Sequence, residues 1–462
     1  MSETTITFLG ATDTVTGSRF LISSNDCNIL IDCGLFQGLK SIRKKNWEPF
    51  PIVASTIDAV VLTHAHLDHC GYLPALVRQG FSGEIASTFY TRELTAVILQ
   101  DSARLQMEDA KYAAKKGFSK HKSPLALYTL DDAEKALNQI KVHPFRQRIQ
   151  LTAEAFVTFY PSGHILGASF VVVEMGEIKF LFTGDLGRNN HPLLSNPDAP
   201  PDIDFDVVVT ESTYGDRKHD APPETFENEL NAAIKRGGSI LIPAFAVDRT
   251  EVILMALREL ILAKKIPRIP IYVDSPMALT ALNYYRNAIK EDSLEIRDGV
   301  TERWKNQDPF DPGQLNQAFT TDESKAINFL EGSAIIISAS GMATGGRVVH
   351  HLANMLPDPK NTVLLVGFQA AGSRGRSLEE GQREIKIHGE LVPVNAHISK
   401  VESFSVHADS DELLTWLKQV RKPKYVFVVH GESAGQATVR QRLSDELAWN
   451  AIVPVGGHEY KI

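Results

Sequence analysis

Residues 63–71 read THAHLDHCG, so three histidines and one aspartate fall within six positions, directly behind the apolar run 57–62. No other stretch constrains the fold as much. Side chains that can ligate metal rarely serve packing when they cluster this tightly. The run before them is therefore read as a buried strand that ends where its loop can meet other strand ends. His64 and His66 flank one residue and can be aimed at one ion, with Asp68 and His69, which follow at once, aimed at a neighbour. Imidazole and carboxylate without cysteine suit zinc with an open coordination position, the catalytic kind of site.

Two more segments repeat this design, an apolar strand followed by a potential ligand at a small-residue turn. FVTFYPSGH ends in His164 and KFLFTGD ends in Asp185. A carboxylate can bridge two metals, as a dinuclear hydrolytic site requires. YVFVVH ends in His430 in the same manner. The tripeptide HGE occurs at both His388 and His430, but the first follows the charged alternation REIKI and only the second follows a buried strand.

The chain has 462 residues, too many for one ordinary core, and shows no low-complexity segment or fixed-period repeat. Short strands dominate the N-terminal half: TTITFLG, SRFLISS, CNILID, then EAFVTFYPS, SFVVVEM and EIKFLFTG, the last two joined through Gly176 as a hairpin. Helices are expected at about 91–116 and 131–139. From about Asp206 strand and helix alternate, as in SILIPAF, RTEVILMALRELILAKK, IPIYVDS, AIIISAS, RVVHHLANML and TVLLVGF. Continuous β-branched strands between amphipathic helices mean βα units on a parallel sheet, a second domain at about 211–390. The tail from 391 is either a third domain or the return of the first. No apolar run reaches membrane-spanning length and no signal peptide is visible, so a cytoplasmic protein that meets no membrane is expected. Three cysteines are too few and too uneven for a disulfide framework. A net charge of −8 argues against a surface that coats polyanions wholesale, yet leaves room for a local basic groove.

The His loop, GH at His164, TGD at Asp185 and LIDCG around Asp32 resemble the metallo-β-lactamase superfamily. TESTYGDR, IPAFAVDRTEVIL, VDSPMA, SASGMATGGR, GFQAAGSRGR, SFSVHAD and VVHGE, in this order, resemble its β-CASP branch, and within it the RNA-cleaving group. The resemblance implies an α/β chain: an αββα metallo-β-lactamase sandwich built from 1–210 and 391–462, with a parallel-sheet β-CASP domain inserted at 211–390. It implies two zinc ions per chain, one held by His64, His66 and His164, the other by Asp68, His69 and His430, with Asp185 bridging. Asp32 matches the aspartate that braces the His loop. Glu211 and His407 match the paired acid and histidine of the branch. His430 stands where DNA-cleaving members carry valine, which favours RNA. A homodimer acting on single-stranded RNA is implied by the same resemblance.

The chemistry expected from this set is hydrolysis of a phosphodiester bond at an internal position of the RNA strand. Two zinc ions lower the pKa of a bridging water, Asp68 holds the resulting nucleophile, and His407, oriented by Glu211, protonates the leaving 3′ oxygen. SASGMATGGR follows a buried strand and opens a helix, so Ser340 and Gly341 could cradle a phosphate, with Arg347 and Arg374 as further contacts. Three other readings compete. A small-molecule metallohydrolase shares the metal site but needs neither Glu211 nor His407. A DNA nuclease of the same branch is disfavoured by His430. An inactive RNA-binding scaffold would lose metal ligands, and all seven are kept.

Overall fold

The computed structural model describes residues 3–116, 124–219, 224–330 and 332–462. It divides into two compact units, one made of 1–218 and 406–462 and the other of 219–405.

The first unit is an αββα sandwich of two seven-stranded sheets. One sheet runs in the order Glu459–Lys461, Thr4–Phe8, Phe20–Ser24, Cys27–Ile31, Ala59–Val61, Glu84–Ser87, Ile140–Val142. The other runs Ala451–Ile452, Tyr425–Val428, Val207–Thr210, Ile178–Phe182, Ser169–Met175, Ala155–Pro161, Ile149–Gln150. Side-chain alternation explains why these runs form strands buried on both faces. Val171, Val173, Phe180 and Phe182 point into the core between the sheets, against Ile22, Ile31 and Val61. Val172, Leu181 and Val208 point the other way, under Leu413, Leu417, Val439 and Leu443 of the helices Ser410–Leu417 and Ser433–Leu447. On the far side the helices Leu73–Arg78, Phe89–Lys116 and Leu130–Leu137 pack together, and Leu30, Val60 and Ile85 of the first sheet are fully buried. Truncating one central ring, such as Phe182, to alanine costs about 3–5 kcal/mol.

The expected hairpin is present: Ser169–Met175 and Ile178–Phe182 pair antiparallel through Gly176, whose φ of 59° suits glycine. The expected helices run Phe89–Lys116 and Leu130–Leu137, the latter started by a Thr129–Asp132 capping box.

The second unit holds a six-stranded, all-parallel sheet in the order Leu315–Gln317, Ile271–Val273, Ile335–Ser338, Ile240–Pro243, Thr362–Leu365, His397–Lys400. Its boundaries differ from those expected at 211 and 390. Strand His397–Lys400 pairs with Thr362–Leu365 and completes this sheet, so the chain returns to the sandwich at 406 rather than 391. Residues 211–218 stay with the sandwich, hanging from the end of Val207–Thr210. Among the described residues no helix is long and apolar enough to cross a membrane.

Candidate metal centre

Seven side chains of the first unit meet at the carboxyl ends of its strands. His64 and His66 follow Ala59–Val61, while Asp68 and His69 sit in the short helix Leu67–Cys70. His164 comes after Ala155–Pro161, Asp185 after Ile178–Phe182, and His430 after Tyr425–Val428. The turn to Asp185 needs Gly184, which has φ 51° and lies where an added Cβ would stand 3.0 Å from the carbonyl of Ser169.

The seven fall into two groups. His66 Nδ1 lies 3.1 Å from His64 Nε2 and 3.2 Å from His164 Nε2. Asp185 Oδ2 is 3.6 Å from each of the latter two nitrogens. In the second group His69 Nε2 is 3.3 Å from His430 Nε2, which is 3.5 Å from Asp68 Oδ2. Asp185 Oδ1 faces this group, 3.5 Å from His69 Nε2, and accepts no hydrogen bond although buried. Asp185 therefore spans both groups through different oxygens.

The hydrogen bonds behind the rings set which nitrogen carries the proton. Asp32, with φ 56°, accepts from Thr63 N at 2.8 Å through Oδ1, and from Thr63 Oγ1 at 2.9 Å and His69 Nδ1 at 2.8 Å through Oδ2. Having given its proton to Asp32, the Thr63 hydroxyl accepts from His64 Nδ1, 3.1 Å away. The Thr213 hydroxyl donates to the His430 carbonyl at 3.2 Å and accepts from His430 Nδ1 at 3.0 Å. For His69 and His64 the contact places N–H on Nδ1 and turns the Nε2 lone pair toward the cluster, the tautomer a metal ligand needs; His430 Nδ1, besides meeting Thr213, also lies 3.3 Å from Asp185 Oδ1. Lone pairs at 3.1–3.3 Å repel unless a proton or a cation lies between them. Two nitrogens bonded to one tetrahedral zinc at ~2.0–2.1 Å stand ~3.3 Å apart, so the donor set fits that metal.

Electrostatics agree with a site built for positive charge. Burial, then the neighbouring His69, His66 and His164 rings, holds His64 well below the usual histidine range. Burial would also keep His69 neutral, but Asp185 and Asp32 outweigh it and push it up to about 10. Without metal, His69 thus keeps a proton where a cation would lie.

Glu211, at the end of Val207–Thr210, accepts from Leu186 N at 2.6 Å and from His407 Nδ1 at 3.2 Å. Burial would raise its carboxyl, yet the charge and hydrogen bond of His407, with His430 and Thr213, together lower it. His407 is fixed from three more sides. Its backbone bridges to Gly187, its ring lies 4.5 Å from that of His164, and Tyr214 stacks on it at 5.8 Å and 22°. Asp68 and His407 are 20% and 14% exposed and His66 is likewise only partly buried, against at most 4% for His64, His69, His164, Asp185, Glu211 and His430. Solvent therefore reaches the cluster at His66, Asp68 and His407.

Sequence reasoning missed Thr63, Thr213 and Ser18, whose Oγ lies 3.4 Å from His69 Nε2. A hydroxyl beside a ligand leaves no periodic signal. Only their places next to His64, two positions after Glu211 and before Arg19 could have marked them.

Ser340, Gly341, Arg347 and Arg374 belong to the second unit. Ser340 Oγ accepts from Thr344 N at 3.0 Å, so it closes its own loop. Arg347 donates to Asp274 Oδ1 at 2.7 Å, Ala318 O at 2.9 Å and Phe319 O at 2.8 Å. Arg374 donates to Lys386 O, Ala343 O and Thr344 O at 3.0–3.1 Å. Both guanidinium groups face their own chain, where solvent-facing phosphate contacts were expected. Asp274, fully buried, also binds His351 at 2.6 Å and Ser324 at 2.5 Å, a network the sequence did not reveal.

The chain matches three family models: the metallo-beta-lactamase superfamily at 13–239, the Beta-Casp domain at 250–378 and the Zn-dependent metallo-hydrolase RNA specificity domain at 391–454. It is 36% identical to a ribonuclease of Thermus thermophilus over 92% of both chains. It is 32% identical to an RNase J-like protein of Methanocaldococcus jannaschii over 93% of both. It is 28% identical to the transcription termination factor FttA of the same organism over 93% of this chain and 67% of that one.

Proposed function

Because the chain belongs to the β-CASP branch of the metallo-β-lactamase superfamily, we propose that it is a zinc-dependent ribonuclease that cuts single-stranded RNA internally, in RNA processing or decay. His64, His66 and His164 would hold one zinc, Asp68, His69 and His430 a second, and Asp185 would face both. When bound, zinc lowers the pKa of a water toward neutrality and polarises a phosphoryl oxygen.

The chain's own groups do the rest. Asp32, Thr63 and Thr213 keep His69, His64 and His430 protonated on Nδ1, so the Nε2 of these three rings stays a donor of electrons. Asp68, open to solvent, orients the attacking water by accepting its proton. Glu211 holds His407 at Nδ1, so the proton His407 delivers leaves from Nε2 to the departing 3′ oxygen. Products carry 5′-phosphate and 3′-hydroxyl ends. In the second unit the loop at Ser340 and Gly341 would meet a backbone phosphate through its N–H groups. Arg347 and Arg374 would act by holding that loop. A homodimer, as the resemblance implied, and a cytoplasmic location are part of the same proposal.

The observation that carries this reading is the union of converging imidazole nitrogens with the adjacent Glu211–His407 pair. A hydroxide generator alone serves many esters, whereas a buried carboxylate aligning a solvent-facing histidine serves a poor leaving group that must be protonated. Zinc-loaded protein should cut labelled single-stranded RNA, and leave single-stranded DNA and a chromogenic lactam largely intact. Intact RNA beside turnover of either other substrate overturns the proposal.

A further inference from the structure

Between Cys33 and Ile57 the chain carries four cations, Lys40, Arg43, Lys44 and Lys45, and one acid, Glu48, in a protein of net charge −8. The four cations are exposed, and Trp47 beside them is 60% exposed. The other three tryptophans, Trp304, Trp416 and Trp449, are 8% exposed or less. None of the four cations forms an ion pair with another described residue. Lys40, Arg43 and Lys44 share one face of the short helix Lys40–Lys44, where like charges three and four apart repel. Local electrostatics thus works against the arrangement, and among the described residues only Lys45 of the four has a packing contact, its Nζ 5.3 Å over the ring of Phe36.

The segment is nevertheless held firmly. Between Lys40 and Trp47 Asn46 alone is buried: its Oδ1 accepts from Phe36 N at 2.9 Å and its Nδ2 donates to Phe36 O at 2.8 Å. The same loop reaches the metal cluster, since Cys33 N donates to His69 O and Leu35 N to Leu67 O. Arg19, buried against Phe36 and Tyr72, donates to Gly34 O at 2.8 Å and fixes the loop between them. Cations without acidic partners, an exposed indole and a rigid mount describe a surface for a flexible polyanion with stacking rings.

We propose that Lys40, Arg43, Lys44, Lys45 and Trp47 form a binding surface for single-stranded RNA, with the cations on successive phosphates and Trp47 stacked on a base. It rests on the ribonuclease reading, and it places RNA recognition in the N-terminal segment of the sandwich, outside the residues matched to the RNA specificity model.

The test uses the full chain with its metal chelated, so that RNA is bound and not cut. A labelled single-stranded oligoribonucleotide is titrated by fluorescence anisotropy at several salt concentrations. Replacing all four cations with glutamine should weaken binding at least about tenfold at low salt. The slope of log affinity against log salt should become shallower by about 0.7 for each phosphate no longer neutralised, up to ~3 in all. Trp47→Ala should bind about 5- to 100-fold more weakly and Trp47→Phe nearly as well as the parent, since a ring restores stacking. RNA should quench parental tryptophan fluorescence, and this quenching should vanish in Trp47→Phe. Each variant is checked by its thermal unfolding curve. Parental affinity and salt slope in a folded quadruple variant overturn the proposal. So does preference of the patch for polyglutamate or anionic lipid vesicles over RNA. If the parent binds RNA through this patch but, zinc-loaded, never cuts it, the ribonuclease reading fails and the surface stands. If the parent cuts RNA while the quadruple variant keeps its KM, the surface fails and the ribonuclease reading stands.

Discussion

Replacing Asp32 with asparagine changes one oxygen to an NH2 and should disable a metal ligand from behind. Asp32 satisfies three donors: Thr63 N, Thr63 Oγ1 and His69 Nδ1, at 2.8, 2.9 and 2.8 Å. An amide has one acceptor oxygen. With that oxygen opposite Thr63 N–H, the NH2 group faces the Thr63 hydroxyl and His69. The hydroxyl can rotate and accept. His69 can keep the contact only by presenting a lone pair at Nδ1, which moves its proton to Nε2, the atom 3.3 Å from His430 Nε2. A protonated Nε2 cannot ligate. Loss of a hydrogen-bond partner behind a ligating histidine costs about 10–100-fold in metal affinity, or roughly 1.4–2.8 kcal/mol. The metal-free chain should also lose about 1–3 kcal/mol, because a charged acceptor leaves a buried site. Competition against a chromophoric chelator measures affinity, and nitrogen chemical shifts of His69 report the tautomer. A folded Asp32→Asn protein that binds zinc with parental affinity and keeps the Nδ1–H tautomer refutes the reasoning.

Three further outcomes follow from the same geometry. Glu211→Gln should lower single-turnover RNA cleavage by about 10–100-fold with zinc content unchanged, part of the ~10²–10⁴ that general acid catalysis supplies; zinc loss in that variant would assign Glu211 to the metal. Thr213→Val removes the hydroxyl from His430 Nδ1 and should weaken zinc binding about tenfold, read by the same chelator competition. His69 has a raised pKa of about 10, so in the metal-free chain it stabilises the fold fully below its unfolded value, and that stability fades as pH rises toward 10. Zinc must displace this proton, so affinity should rise with pH across the neutral range, and calorimetry in buffers of different ionisation enthalpy should show proton release.

The convergence of these seven side chains was legible because each sits where an apolar run stops. HAHLDH, His164, Asp185 and His430 all follow strands whose alternating faces bury in two cores, and such strands end at a common edge. The orientation of the rings was not legible, since it depends on single hydroxyls of Thr63 and Thr213 brought in by tertiary pairing. The return point of the chain was misjudged for a related reason. The short segment around His397–Lys400 is only partly buried, and its membership in the second sheet is decided by backbone pairing with Thr362–Leu365, which composition does not record. Arg347 and Arg374 looked like phosphate contacts because glycines surround them. The structure instead turns those guanidinium groups onto carbonyls and Asp274, which closes the turns the glycines permit.

The central claim is that His407, held by Glu211, protonates the leaving oxygen. It is tested most directly by pairing His407→Ala with an RNA whose scissile 3′ bridging oxygen is replaced by sulfur. A thiolate leaves without being protonated. His407→Ala should therefore slow cleavage of ordinary RNA by about 10²–10⁴-fold and cut the sulfur-bridged RNA at close to the parental rate. An equal loss on both substrates, with zinc content intact, would contradict the account.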